Sequence, residues 1–265
     1  ANQPGYDFMA QGMGGVMSVT GPMGGEPHRV GVPIADLTAG LWAALSINAA
    51  LRYREVAGKG QNIDISLLDT QVATLSIQGM NYLTSGEIPG LLGNAHPNIV
   101  PYAVFPTSDG NIIIAVGNDE QFRRFCDFAG QPELAKDPRY ATNEVRVRNR
   151  AEVSKIVADI MREKPTAYWI EGLEKNKISC GPINNIEQVF ADEQVQARNM
   201  EIEMPHPATG GKPVKLIGSP IKMSGTPVTY RAAPPTMGQH TDAVLKELLD
   251  LDEKACAELR AKGAI

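Results

Sequence analysis

The run from Leu37 to Val56 constrains this chain more than any other segment. Leu41, Leu45, Ala49 and Tyr53 repeat every four residues, and Trp42 and Ala44 widen the stripe, a spacing that predicts one long helix with an apolar face. Ala39, Gly40, Ala43, Ala44, Ala49 and Ala50 are small enough to let another backbone pack closely, and Arg52, Arg54 and Lys59 gather at the far end, where cations suit the helix dipole. Directly before the stripe stands Asp36, within V-G-V-P-I-A-D-L-T-A-G at 30–40. An aspartate there is commonly an N-cap, here for the amides of Leu37 to Ala39. The same place also suits a nucleophile: the dipole keeps the carboxylate ionised and small neighbours let an activated acyl group approach. The local pattern leaves both readings open.

The chain has 265 residues, 43% hydrophobic and 21% charged, with a formal net charge of −5. It is long enough for one large domain or two modest ones. No basic stripe marks a nucleic-acid binder. Cys126, Cys180 and Cys256 are far apart, match no metal or redox spacing and are odd in number, so neither a metal site nor a disulfide framework is expected, and a reducing, cytoplasmic setting is. No signal peptide or membrane span is expected either: the best stretch, Ala39 to Leu51, is short and holds Ser46 and Asn48.

Elsewhere, Asp7 to Met13 reads as a short helix closed by Gly14 and Gly15, Asn62 to Ser66 as a strand, and Leu68 to Leu83 as a second helix. Thr84 to Pro101 is dense in Gly and Pro, the mark of a linker or functional loop. Asp109-Gly110 predicts a turn into a buried strand at Ile112 to Val116. Helices are predicted over about 119–129, 144–163 and 166–176, the last with Thr166 as N-cap after Pro165. Ile178 to Ile183 reads as a turn or strand end, 201–230 as short strands broken by Pro and Gly, and the end as two helices near 240–250 and 253–262, with Asp252 capping the second and Gly263 closing it.

An ordered set of motifs spans the chain: G-Y-D (5–7), Gly-Gly with S-V-T-G (14–21), A-D-L-T-A-G (35–40), A-A-L-R-Y-R (49–54), G-K-G-Q-N-I-D-I-S-L-L-D (58–69), G-N-A-H-P-N (93–98), C-G-P-I-N (180–184), R-A-A-P-P (231–235) and G-Q-H-T-D (238–242). Together they closely resemble the class III CoA-transferases of the CaiB/BaiF family. The resemblance implies that Asp36 is a nucleophile taking an acyl group from a CoA thioester as an aspartyl anhydride, on the way to a (di)carboxylic or short hydroxy acid. It places Gly5, Tyr6 and Asp7 beside substrate or CoA, and Gly93, Asn94 and His96 in a glycine-containing lid. No cofactor is implied beyond coenzyme A itself as substrate. The bland readings are a half-buried anchoring tyrosine for Tyr6 and an inter-domain linker for the loop. Racemases of the same family resemble the chain too, but carry a histidine where Tyr6 stands. A phenol is a poor proton shuttle near neutral pH, so transfer is favoured over 2-methylacyl-CoA racemisation.

The resemblance also implies an α/β fold: part of a nucleotide-fold-like large domain plus a smaller α+β domain, in a family of interlocked homodimers. The expected division is a large-domain segment with the nucleophile at 1–95, the small domain at 96–184 and a return to the large domain at 185–265. Members of the family carry a segment ahead of the Gly-Tyr-Asp motif, whereas this chain opens at A-N-Q-P-G-Y. The expectation is therefore a piece of a longer enzyme that alone binds CoA weakly and is inactive, or a non-catalytic dimerisation fragment.

Overall fold

A computed structural model describes residues 4–265; Ala1 to Gln3, which open the A-N-Q-P-G-Y phrase, lie outside the described residues. The chain is a mixture of helices and small sheets, as the sequence pattern implied, and it divides into two compact units, Ala1–Ile183 and Asn184–Ile265.

The first unit begins with helices α1 (Asp7–Met13) and α2 (Ile34–Ala57), then α3 (Leu67–Thr74) and α4 (Ser76–Ser85). Helix α2 ends at Gly58 in the left-handed conformation (φ 67°), the geometry glycine adopts without strain. It covers 24 residues and is long and apolar enough, by length and composition, to cross a membrane. That corrects the expectation from Ala39 to Leu51: the helix takes in Ile34, Leu37 and Val56 at its two ends. It packs against α1 and α3. The single helix expected from Leu68 to Leu83 is broken, because Ser76 takes φ 47° and the amide of Leu75 turns back to Val72 O at 3.2 Å. The strand expected at Asn62 to Ser66 does not form: among the described residues no segment pairs with it, and Ser66 instead caps α3, its Oγ accepting from Asp69 N at 3.0 Å.

A three-stranded antiparallel sheet follows, in the order β1 (Tyr102–Pro106), β2 (Asn111–Ala115), β3 (Ser179–Pro182). The β1–β2 turn closes through Thr107 N to Gly110 O, 2.9 Å. Between β2 and β3 run α5 (Asp119–Phe128), α6 (Asn143–Arg148), α7 (Arg150–Met161) and α8 (Thr166–Lys175). The expected helix at 144–163 is thus two helices, parted at Asn149, whose side chain reaches Arg139 O at 3.0 Å. Thr166 is not the cap of α8 but its first residue: Asp109 Oδ1 accepts from its amide (2.8 Å) and its hydroxyl (2.9 Å).

The core of this unit lies between Val100 and Ile178. Phe105, Ile112 and Ile114 of the hairpin meet Phe122, Phe125, Val157, Met161, Trp169 and Leu173 of the helices. Arg146 is fully buried within it. It donates to Val100 O (2.7 Å), Tyr140 O (2.8 Å) and Asp119 Oδ1 (2.8 Å) and lies 4.3 Å over the Phe122 ring, so both the edge and the face of the guanidinium have partners. Cys126 is also in this core, and burial, reinforced by Asp127, pushes its thiol up to about 12; a thiol that stays protonated is inert.

The second unit holds α9 (Ile186–Ala191), α10 (Glu193–Ala197), the antiparallel pair β4 (Glu201–Pro205) and β5 (Pro213–Ile217), then α11 (Thr241–Leu249) and α12 (Glu253–Ala261). Asn185 and Gln188 form a reciprocal capping box on α9. Asp252 caps α12, accepting from Ala255 N at 2.8 Å, and Gly263 follows at φ 68°. Residues 218–235, expected in part as further strands, form no regular element.

Candidate active site

Asp36 is the third residue of α2 and is exposed. Its expected capping role does not materialise, because the amides at the helix start are satisfied elsewhere. Ile34 N donates to Val32 O (2.8 Å) and Leu37 N to Pro33 O (3.0 Å). Ala35 N donates to Asp7 Oδ1 at 2.8 Å, and Asp36 N approaches the same oxygen at 3.4 Å. The capping carboxylate therefore comes from α1, across 28 residues of sequence. Among the described residues no group hydrogen-bonds the Asp36 side chain, which stands at the positive end of a long helix dipole.

Asp7 is held in turn. Its Oδ2 accepts from Gln11 Nε2 at 2.7 Å, and Gln11 Oε1 accepts from Val30 N at 2.8 Å. Gln11 is fully buried. The spacing of Asp7 and Gln11 puts them one turn apart on α1, so the helix reaches both the loop before Asp36 and the first turn of α2. Both oxygens of Asp7 are engaged with the protein rather than presented outward. Tyr6, by contrast, is 72% exposed rather than half-buried, and Gly5 is open, with nothing within 4 Å of the position a Cβ would take. The Asp7–Ala35 bond thus brings Asp7 to the backbone beside Asp36, while Gly5 and Tyr6 adjoin it only as the residues before Asp7 in the chain.

Gly93, Asn94 and His96 lie elsewhere in the same unit. Gly93 takes φ 60°, and its amide donates to Gly21 O at 2.9 Å, which ties the loop to the turn leading towards Val30. Asn94 is exposed. His96 stacks on Tyr102 (ring centroids 5.1 Å apart), its amide donates to Tyr102 O (2.8 Å) and its Nδ1 accepts from Asn98 N (3.1 Å). Partial burial, and then the Arg150 guanidinium, hold its pKa below the usual histidine value. The 96–98 part of the loop is pinned: Arg150 donates to His96 O (2.8 Å) and to Pro97 O, and Asn143 Nδ2 donates to Asn98 O (2.8 Å). His28, His206 and His240 stay in loop and cap positions; the Nδ1 of His206 accepts from Ala208 N at 3.1 Å. Among the described residues no group of His, Cys, Asp and Glu is placed to hold a metal ion. The sequence did not single out Gln11, Asn143 or Arg150. The only sign of them was the four-residue spacing of Asp7 and Gln11, since Asn143 and Arg150 act across more than forty residues.

Comparison with known proteins bears on this arrangement. The chain is 45% identical over 255 residues to the succinate–glutarate CoA-transferase of Agrobacterium fabrum (96% of this chain, 63% of that protein) and 39% identical over 265 residues to the succinyl-CoA:glutarate CoA-transferase of Homo sapiens (100% and 60%). The crystal structure of a CaiB/BaiF family protein from Brucella suis superposes with a TM-score of 0.76 at 41% identity, covering 93% of this chain and 63% of that one. The chain therefore spans about 60–63% of the length of these relatives. A profile of CoA-transferase family III matches residues 1–241. With the motif order, the fold and the profile in agreement from Gly5 to Thr241, the chain belongs to CoA-transferase family III, the CaiB/BaiF proteins.

Proposed function

We infer that the protein this chain belongs to moves CoA from an acyl-CoA to a dicarboxylic acid, with Asp36 as the covalent nucleophile. The observation that carries the reading is the state of Asp36: exposed at the start of a 24-residue helix, with no partner for its carboxylate among the described residues, while Asp7 caps the helix in its place. A carboxylate relieved of capping keeps its lone pairs for attack. Asp36 adds to the thioester carbonyl and expels CoA thiolate, giving the acyl-aspartyl anhydride. The thiolate attacks the aspartyl carbonyl, releasing the first acid and leaving an aspartyl thioester. The second acid displaces CoA to form a new anhydride, and CoA thiolate takes its acyl group, restoring Asp36. The names of the Agrobacterium and human relatives support C4 and C5 dicarboxylates as the acid pair. In this scheme Tyr6 lines the substrate, the 93–98 loop limits water, and the enzyme is a cytoplasmic homodimer.

The test is direct. Full-length protein incubated with succinyl-CoA, quenched with hydroxylamine and digested is expected to carry a hydroxamate on Asp36, formed as hydroxylamine displaces succinate or CoA from the activated aspartyl carbonyl. Asp36→Ala is expected to fold, form no adduct and transfer nothing. Transfer by Asp36→Ala at the parent rate sinks the reading.

A further inference from the structure

We propose that Asp7 and Gln11 are positioning residues for the Asp36 nucleophile, acting through the backbone at the start of α2; this rests on Asp36 being the nucleophile. The geometry is a relay of three hydrogen bonds. Asp7 Oδ1 accepts from Ala35 N (2.8 Å), Asp7 Oδ2 accepts from Gln11 Nε2 (2.7 Å), and Gln11 Oε1 accepts from Val30 N (2.8 Å). One turn of α1 therefore grips the chain before and after the bend that leads into α2. Gln11 is fully buried and Ala35, next to the nucleophile, is fully buried too, so neither bond is exchanged readily for water. Asp36 follows Ala35 directly, and its own amide also faces Asp7 Oδ1. Any shift of the Asp7 carboxylate moves the backbone from which the nucleophile projects. The relay also decides what the Asp36 side chain does. With the helix start capped from outside, the carboxylate has no amide of its own helix to fold back upon. Removing the external cap leaves the Ala35 amide unpaired at a site where a short carboxylate nearby is the natural substitute.

Hydrogen-bond polarity makes the relay testable. Asp7 accepts on both oxygens, so it must be the anion or an equivalent double acceptor. In Asp7→Asn one of these acceptors becomes an NH2 group. If the carbonyl stays on Ala35 N, the new NH2 meets Gln11 Nε2, donor against donor. Turning the Gln11 amide over only moves the conflict to Val30 N. Combining Asp7→Asn with Gln11→Glu restores every bond. The introduced amide at position 7 accepts from Ala35 N and donates to the introduced carboxylate at position 11, whose other oxygen accepts from Val30 N. The negative charge is retained, one turn further along α1.

The experiment compares Asp7→Asn, the double variant and Asp36→Ala in the full-length protein, reading Tm, kcat and KM for acyl-CoA, and the amount of adduct at Asp36 in the first turnover. Misplacing a reacting group by about 1 Å costs up to ~100-fold in rate. For Asp7→Asn we expect kcat and the rate of adduct formation to fall on the order of 10- to 100-fold, with KM within about 2-fold of the parent. The double variant is expected to recover most of the loss. A purely structural role predicts a lowered Tm with unchanged kcat per folded site, and that result overturns the proposal, as does a well-folded double variant that recovers nothing. Should Asp7→Asn fail to fold, Gln11→Met, which leaves Asp7 on Ala35 N but frees its other oxygen, gives the same discrimination: a fall in kcat supports the relay and an unchanged kcat refutes it. Asp36→Ala separates the two readings. If it transfers normally, the nucleophile is misassigned; if it is inactive while Asp7→Asn is unaffected, only the relay is wrong.

Discussion

A polar side chain can serve the backbone or the solvent side, but seldom both, and this division runs through the first unit. Asp7, Asp109 and Asn143 each give their acceptors to main-chain amides of another segment, while Asp36 is left outside that bonding. His96 belongs with the first group. Its Nδ1 accepts from Asn98 N, a role open only to an unprotonated nitrogen, and burial with the adjacent Arg150 lowers its pKa. The folded protein therefore binds this proton less readily than the unfolded chain, so the stability it contributes is present above the ordinary value near ~6.5 and lost as pH falls through the lowered folded pKa. The expected outcome is an NMR titration midpoint for His96 below ~6.5, with exchange of the Asn98 amide quickening over the same pH range. A midpoint above that value contradicts the assignment.

Elements in the first unit are joined by specific close approaches. Helix α8 lies so near α5 that a Cβ on Gly172 would sit 1.9 Å from Phe128 Cζ. Phe128 cannot retreat easily, since it stacks on Tyr168 (centroids 5.6 Å) and meets Trp169 edge-on (5.7 Å). Gly172→Ala is expected to cost about 1–3 kcal/mol by overpacking, despite the better helix propensity of alanine, as a lowered midpoint in denaturant with m unchanged. The 93–98 loop illustrates a joint of the other kind. Its second half is held by Arg150 and Asn143, so any lid movement belongs to the part before His96. Gly93→Pro would remove the Gly21 bond and forbid φ 60°, so it would displace the loop. Arg150→Ala is the cleaner probe. It is expected to raise amide exchange across 96–98 and, if the loop shields an anhydride, the ratio of hydrolysis to transfer. An unchanged ratio alongside faster exchange counts against shielding.

At the scale of the whole chain, burial is uneven. Fully buried apolar side chains concentrate between Val100 and Ile178, whereas α2 buries only Ala35 and leaves Leu41 71% and Leu45 60% exposed. The apolar row that predicted the helix is thus an open face of this chain, and contiguous apolar surface of that kind drives association. The 265-residue chain is expected to sediment above its monomer mass of 28.5 kDa. Leu41→Glu with Leu45→Glu is expected to shift it towards monomer without loss of helix content. A monodisperse monomer for the parent would argue that the face is stable in water.

Elements whose signals are local follow from the order of the amino acids alone. Helix α2, the Asp109-Gly110 turn into β2, the Asp252 cap and the closing Gly263 were all legible, because hydrophobic period, turn chemistry and capping act within a few residues. Motif order also determined the family. Tertiary structure alone decided which carboxylate caps α2. Local pattern left Asp36 open to that role or to a nucleophile's, and a residue 28 positions before Ala35 takes the cap, something no short window along the chain can contain. The same reason covers the other departures. The strand read at Asn62 to Ser66 needed a neighbour to pair with, Thr166 was displaced as a cap by Asp109, and the breaks at Ser76 and Asn149 arise from backbone geometry and a contact to Arg139. Helix period marked the face of α2, but whether that face is buried depends on what packs against it, and periodicity carries no information about the partner.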